Sequence, residues 1–256
     1  MVRKKKIIEP VLKNQLTQEI SYSISPLGDS ALIIDFGNVI DEQINKLVHS
    51  VFFQLQNEPI PGMVEAIPAY SSLTIFYDVF VARNNMTDKV EPVFDLISDR
   101  LKKYIATENL ETGDPELLID IPVCYDKEYG IDLGFISSQN NISVEEIIHL
   151  HSSVTYRVYM LGFLPGFAYM GLVDEKISSP RKQQPAAVEP GSVGIAGRQT
   201  GVYPFKSPGG WQIIGRTPLK LFDKEKVNPV LFKPGDNVKF HSITKDEFED
   251  TKSRNA

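Results

Sequence analysis

Apolar residues recur at different spacings in the two halves of this chain. In the first half, Ala31 to Phe36 (ALIIDF) form an apolar run that Gly37 closes, and Ile44, Val48, Val51, Phe52 and Leu55 then fall at helical spacing. The pattern predicts a strand followed by an amphipathic helix that begins near Asp41 and is ended by Pro59, Pro61 and Gly62. Extended runs follow at Val64 to Tyr70 and Leu73 to Tyr77. A second helix is predicted from Val90, Phe94, Ile97, Leu101, Tyr104 and Ile105, capped by Thr87 or Asp88, with Pro92 near enough its start to be tolerated. With an early strand at Tyr22 to Ser25, the order is strand, strand, helix, strand, strand, helix. Two helices on one face of a small antiparallel sheet satisfy that order.

Thr107 to Pro115 (TENLETGDP) is polar and rich in turn formers, so a domain boundary is expected there. The second half opens with a strand at Leu117 to Tyr125. A short helix starts at Ser143, whose spacing to Glu146 is that of a capping box. Beyond Tyr156 the chain breaks into short extended runs, YRVYML, GSVGIAG, WQIIGRT, PVLF and NVKF, separated by Gly and Pro. Many short strands with regular turn signals predict a closed or nearly closed β-barrel.

Composition narrows the function classes. The 256 residues are 42% hydrophobic and 23% charged, which describes a globular chain able to bury a full core. A formal charge of −6 argues against nucleic acid as a partner, and the basic run Arg3-Lys4-Lys5-Lys6 reads as a solvated tail. The single cysteine, Cys124, excludes an intrachain disulfide and sits in an apolar strand where burial is expected. No apolar segment approaches about 18 residues, so no membrane span is expected and a cytoplasmic location is the simplest reading.

The chemistry concentrates between Leu161 and Asp223, where Gly, Pro and aromatic residues crowd together. GSVGIAGR (Gly191 to Arg198) meets neither nucleotide-loop fingerprint, although backbone N–H groups there could still receive an anion. His149 and His151 have metal-like spacing only on an extended backbone, with no third ligand nearby, so no metal site is expected. Arg157, Arg181, Arg198, Lys206 and Arg216 are spread through this region and could hold a carboxylate or phosphate. Trp211 could stack on a ligand or anchor a partner, and a lone tryptophan also serves often as core.

These residues carry a resemblance. His151, Tyr156-Arg-Val-x-Met160, Gly162-Phe-x-Pro-Gly-Phe-x-Tyr169, Pro180-Arg181, Pro190-Gly-Ser-Val-Gly-Ile-Ala-Gly197-x-Gln199-Thr-Gly-x-Tyr203-Pro and Ser207-Pro-Gly-Gly-Trp-x-Ile-Ile-Gly-Arg-Thr-Pro218 are similar to the family that holds the B subunit of bacterial 5-oxoprolinase. That family includes the Kip-type sporulation kinase inhibitor, was long labelled allophanate hydrolase subunit 1, and corresponds to carboxyltransferase subdomains C and D. Pro26 to Gly37, Ala66 to Asp78 and Ile121 to Leu133 extend the likeness to about residues 20–245.

The resemblance implies a ferredoxin-like α+β domain at 20–108, after a basic tail at 1–19, and a cyclophilin-like β-barrel at 116–250. It implies an ATP-dependent complex, with Mg, that opens the lactam of 5-oxoproline to L-glutamate, in which this chain pairs with a larger C subunit and with an A subunit. By this reading His151, Arg181 and Arg216 are the catalytic candidates. Tyr156, Gly194, Gly197, Gln199, Tyr203, Ser207 and Trp211 are the substrate- or nucleotide-binding candidates, with Gly194 to Gly197 as backbone donors to an anion. Two other roles follow from the same family: an inhibitor docked on a sensor histidine kinase, and a carboxyltransferase half acting on a urea- or allophanate-like amide.

Overall fold

The computed structural model describes residues 21–85, 91–105 and 117–254. These fall into two compact units, divided after the segment that ends at Pro115. The Thr87 or Asp88 cap, the basic tail and the Thr107 to Pro115 boundary lie outside the described residues.

The first unit is α+β. Its strands are β1 (Ser23–Pro26), β2 (Ala31–Asp35), β3 (Met63–Pro68) and β4 (Ser72–Tyr77), and its helices are α1 (Glu42–Asn57), α2 (Val79–Asn85) and α3 (Val93–Ile105). The strands form one antiparallel sheet in the order β1-β2-β4-β3. Alternation along β2 and β4 sends Leu32, Ile34, Leu73 and Ile75 to one face, where they meet Val48, Val51 and Leu55 of α1 and Ile97 and Leu101 of α3. Asp41 caps α1 by accepting from the Ile44 N–H at 2.9 Å. Asn45, buried on that helix, donates its side-chain amide to the carbonyls of Ala69 and Tyr70, tying α1 to the β3–β4 turn. The spacing of apolar residues predicted this order of elements; α2, a short apolar helix, was not foreseen.

The second unit is a closed seven-stranded barrel. Along the chain it contains β5 (Leu118–Cys124), α4 (Leu133–Asn140), α5 (Val144–Ser153), β6 (Thr155–Leu161), β7 (Ala168–Gly171), β8 (Ala186–Val188), β9 (Ser192–Ala196), β10 (Gln199–Val202), β11 (Ser207–Gly209), β12 (Gln212–Arg216), β13 (Asn237–Ile243) and α6 (Lys245–Arg254). The barrel order is β10-β7-β6-β13-β5-β12-β9, and β8 with β11 forms a separate two-stranded ribbon. Only the β5–β13 pair of the barrel is parallel. Ile121, Val123, Tyr156, Val158, Ala168, Met170, Val193, Ile195, Val202, Ile214, Val238 and Phe240 fill the interior. Ser143 caps α5 by accepting from the Glu146 N–H at 3.1 Å, as the sequence predicts. The PVLF run is not a strand; it contributes one isolated bridge, Phe222 to Val230. Cys124 is buried on β5, and burial pushes its thiol pKa up. Among the described residues no helix is long and apolar enough to cross a membrane.

Candidate functional site

The Gly, Pro and aromatic block builds the outer wall of the barrel over β7, β10, β9 and β12. Strand alternation decides what that wall presents. Along β10, Thr200 and Val202 point inward, so Gly201 and the following Tyr203 face out. Along β7, Ala168 and Met170 point in while Tyr169 faces out beside Phe167. On this face Phe167, Tyr203 and Trp211 are almost fully buried and meet edge to face. Ring centroids are 5.1 Å apart for Phe167–Tyr203, 5.4 Å for Phe167–Trp211 and 5.8 Å for Tyr169–Trp211. Each such pair adds roughly 0.5–1.5 kcal/mol beyond area burial. Val188 of the ribbon packs on the same cluster.

A strap between residues 178 and 188 crosses this wall and carries Arg181. Its anchors are polar. Ser179 bridges Gly197, the Lys182 N–H donates to the Gly210 carbonyl at 2.7 Å, and the Gln212 side chain donates to the Pro180 carbonyl at 3.0 Å. Lys182 also pairs with Asp132 at 2.6 Å, and the same Asp132 oxygen accepts from the Ile213 N–H. So held, exposed Arg181 lies near enough to Tyr169 and Tyr203 to oppose the rise that burial gives both phenols; Tyr203 is pushed up to about 12. Arg181 makes no hydrogen bond or ion pair among the described residues. An exposed guanidinium near the half-buried Tyr169 phenol suits a small carboxylate. This set contains neither a carboxylate nor an imidazole, so it can hold such a molecule but has no group to move a proton at neutral pH.

The other candidates are placed differently. His151 is fully buried inside the barrel, where Nδ1 lies 2.8 Å from the Tyr125 hydroxyl and Nε2 lies 2.9 Å from Thr200 Oγ1. Thr200 in turn donates to the Gly194 carbonyl at 3.1 Å, so its oxygen accepts from His151 and Nδ1 accepts from Tyr125. Burial lowers the His151 pKa to about 3. The residue expected to act in acid–base chemistry is thus a neutral imidazole with both nitrogens engaged and no exposed surface, and it staples the core. Tyr156, also fully buried, donates to the His151 carbonyl at 2.9 Å and shapes no surface pocket.

Gly194 and Gly197, expected as backbone donors, are held in strand and bridge pairing. β9 is hydrogen-bonded on both sides, to β10 and β12, and the Gly197 N–H donates to the Ser179 carbonyl at 2.6 Å. Gly194 and its neighbour across the ladder, Gly201, instead make room, while Gly197 takes a left-handed φ of +57. A Cβ on Gly194 would come within 3.0 Å of Trp211 Cβ, and one on Gly201 within 2.8 Å of the Ala168 carbonyl oxygen. Trp211 is itself only 4% exposed, so it anchors the wall and offers no face to a ligand.

The five cations do not form one cluster. Arg157 is buried and donates to the Gly235 carbonyl, Arg198 pairs with Glu175 at 2.9 Å, and Lys206 pairs with Glu189 at 2.9 Å. Arg216, on the outer face of β12, lies over the Tyr129 ring at 5.2 Å, and its buried Nε has no hydrogen-bond partner among the described residues. Arg216 therefore sits on Tyr129, whereas the charge of Arg181 acts on Tyr169 and Tyr203. Gln199 is half-buried on the outer face of β10, and Ser207 Oγ on β11 is buried with no partner among the described residues. His149 is exposed on α5, so the helix separates it from His151.

Sequence reasoning did not single out Tyr169 as a site residue, although the in–out alternation of Phe167, Ala168 and Tyr169 was there to be read. The Asp132–Lys182 tie had no local signal, because its partners are far apart along the chain.

The family described as carboxyltransferase domain, subdomain C and D, matches residues 22–232. The chain is 42% identical to the B subunit of 5-oxoprolinase from Bacillus subtilis (strain 168), over 90% of this chain and 96% of that protein. It is 37% identical to the B subunit of 5-oxoprolinase from Escherichia coli O157:H7, over 84% of this chain and 93% of that one. Among solved structures it is similar to TTHA0988, with a TM-score of 0.69 and 32% identity over 83% of this chain and 40% of the other.

Proposed function

The chain belongs to the family of the carboxyltransferase domain, subdomain C and D, and from that membership we propose that it is the B subunit of an ATP-dependent 5-oxoprolinase complex. The reaction opens the lactam of 5-oxoproline to L-glutamate. The observation that carries this reading is 42% identity, over nearly the full length of both chains, to a protein of that name. In this reading the α+β unit is ferredoxin-like over 20–108 and the barrel cyclophilin-like over 116–250.

The part assigned to this chain is to hold the lactam. Arg181 pairs with the carboxylate of 5-oxoproline, Tyr169 contributes its hydroxyl, and the wall of Phe167, Tyr203 and Trp211 excludes water from one side. The acid–base groups, the nucleotide and its Mg belong to the partner subunits. Gly194 lies within the β9 ladder and the Gly197 N–H is taken by the Ser179 carbonyl, so this segment does not suit a phosphate cradle. Among the described residues no group of three or more His, Cys, Asp or Glu could hold a metal ion. A shared site also gives a use to Phe163, which is 61% exposed and held at φ +69 against the rings of Phe167 and Tyr203. An exposed aromatic at the rim of the wall is a natural contact for a second protein of the complex.

The test is glutamate formation from 5-oxoproline and ATP by the reconstituted complex, with and without this chain. Activity that requires the chain supports the reading. An assembled, stable complex with no such activity overturns it.

A further inference from the structure

The α+β unit holds a cleft outside the family's motif block. It opens between edge strand β1 and helix α3 and is lined by Tyr22, Ile24, Phe94, Asp95, Ser98 and Lys102, with a volume of about 330 Å³. That volume is at the lower end of the range for small-molecule sites, about 300–1,000 Å³. Phe94, Ser98 and Lys102 follow one another at four-residue spacing along α3, so one stripe of that helix forms a wall of the cleft.

Ser98 is the informative residue. It is only 4% exposed, yet its Oγ has no hydrogen-bond partner among the described residues. A helical serine usually returns its hydroxyl to the carbonyl one turn earlier, and this one does not. Leaving such a group buried and unpaired costs about 1–3 kcal/mol, which a polar atom of a bound molecule would offset. Tyr22, Ile24 and Phe94 supply apolar surface around it, while Asp95 and Lys102 bring one charge of each sign to the same cleft. Lys102 now pairs with Asp99 at 2.8 Å, but both side chains are more than half exposed, so that pair is weak and exchangeable.

We propose that this cleft binds a small zwitterionic amino acid with an apolar side chain. The α-ammonium group faces Asp95, the α-carboxylate faces Lys102, the side chain lies against Phe94 and Ile24, and Ser98 hydrogen-bonds a polar atom of the ligand. The charges decide the class. A simple anion would meet Asp95, a simple cation would meet Lys102, and a purely apolar molecule would leave Ser98 unpaired.

The experiment uses the full chain, labelled with ¹⁵N, and L-methionine as the probe, followed by amide chemical shifts. Saturable shifts confined to residues around Tyr22 to Ile24 and Phe94 to Lys102 are expected. Ser98→Ala removes one hydrogen bond and should weaken binding about fivefold, with folding intact because an unpaired hydroxyl is lost. Lys102→Gln, a surface change, should weaken it by a similar factor, about fivefold. N-acetyl-L-methionine and L-methioninamide, each lacking one charge, should bind more weakly than methionine. Absence of saturable shifts at about 10 mM probe, equal binding of either blocked analogue, or binding unchanged in both Ser98→Ala and Lys102→Gln overturns the proposal.

Discussion

Gly194 and Gly201 lie directly opposite each other on β9 and β10, and the side chain of Trp211, the one tryptophan in the chain, packs over both. A methyl group on Gly201 would meet the Ala168 carbonyl oxygen at 2.8 Å, Phe167 Cζ at 3.1 Å and Trp211 Cζ3 at 3.2 Å. Two effects oppose each other in Gly201→Ala. The lost chain entropy of glycine favours alanine by about 0.5–1 kcal/mol, while a clash against fixed backbone costs about 1–3 kcal/mol. The clash wins because a carbonyl in the barrel ladder cannot swing away. Urea unfolding should show Gly201→Ala destabilised, with tryptophan emission shifted to the red as the indole is lifted. Gly194→Ala, whose nearest contact is 3.0 Å, should follow in the same direction by less. An unchanged midpoint and spectrum for Gly201→Ala would show that the paired glycines do not seat Trp211.

His151 gives the barrel a pH dependence of known sign. Burial lowers its folded-state pKa to about 3 from an ordinary value of 6.5. Between those values the unfolded chain takes up a proton that the folded chain refuses, so stability falls as pH drops from about 6.5 toward 3. From pH 7 to pH 5 this one residue should lower stability by about 2 kcal/mol. The comparison is with His151→Gln, which can still donate and accept but does not titrate. Urea midpoints at the two pH values should fall further in the unsubstituted chain than in the variant. Parallel losses in both would mean that acid sensitivity comes from other groups.

How much of this was legible in the sequence follows from the range of the interactions. The helix beginning at Asp41, the cap at Ser143 and the strands at Ala31 and Leu117 rest on contacts a few residues apart, and periodicity reveals those. The glycine-rich block was recognisable as a shaped surface, but its meaning was not. GSVGIAG looks like a loop that offers N–H groups until β10 and β12 are seen on either side of it. His151 carries no sign in the sequence that Tyr125, just past the end of β5, and Thr200 of β10 close over it, since they lie 26 and 49 residues away in the chain. Arg216 and Arg181 read alike as cations among glycines, yet one lies on Tyr129 and the other near Tyr169. Only the register of the barrel separates them.

Asp132 should control the strap. Its Oδ2 accepts from both Lys182 and the Ile213 N–H, and each partner of the ion pair is only 18% exposed. Asp132→Asn keeps an acceptor for the backbone N–H and loses the charge pairing, whereas Asp132→Ala loses both. Breaking such a part-buried pair should cost about 1–3 kcal/mol, with Ala above Asn. Because the strap is tied by few other groups, limited proteolysis should cut first within the exposed Gln183 to Ala187 stretch of Asp132→Ala, before the barrel unfolds globally. Cleavage kinetics identical to those of the unsubstituted chain would mean that the backbone ties at Ser179 and Lys182 hold the strap alone.

Arg181 separates binding from folding most cleanly. It is exposed, it makes no hydrogen bond or ion pair among the described residues, and its charge opposes the rise in pKa that burial gives Tyr169 and Tyr203. Arg181→Ala should therefore leave the unfolding midpoint within about 0.5 kcal/mol of the unsubstituted chain. A charge-assisted pair with a carboxylate contributes about 1.5–3 kcal/mol, so its loss should raise KM for 5-oxoproline in the reconstituted complex about tenfold or more. Arg181→Lys keeps the charge without the two-pronged geometry and should recover only part of that loss. The comparison is Arg216→Lys, a cation seated on Tyr129 outside the proposed carboxylate contact, for which KM should change little. If Arg181→Ala left KM unchanged while Arg216→Lys raised it, the substrate contact would belong at the Tyr129 end of the barrel and the aromatic wall would serve only as an interface to the rest of the complex.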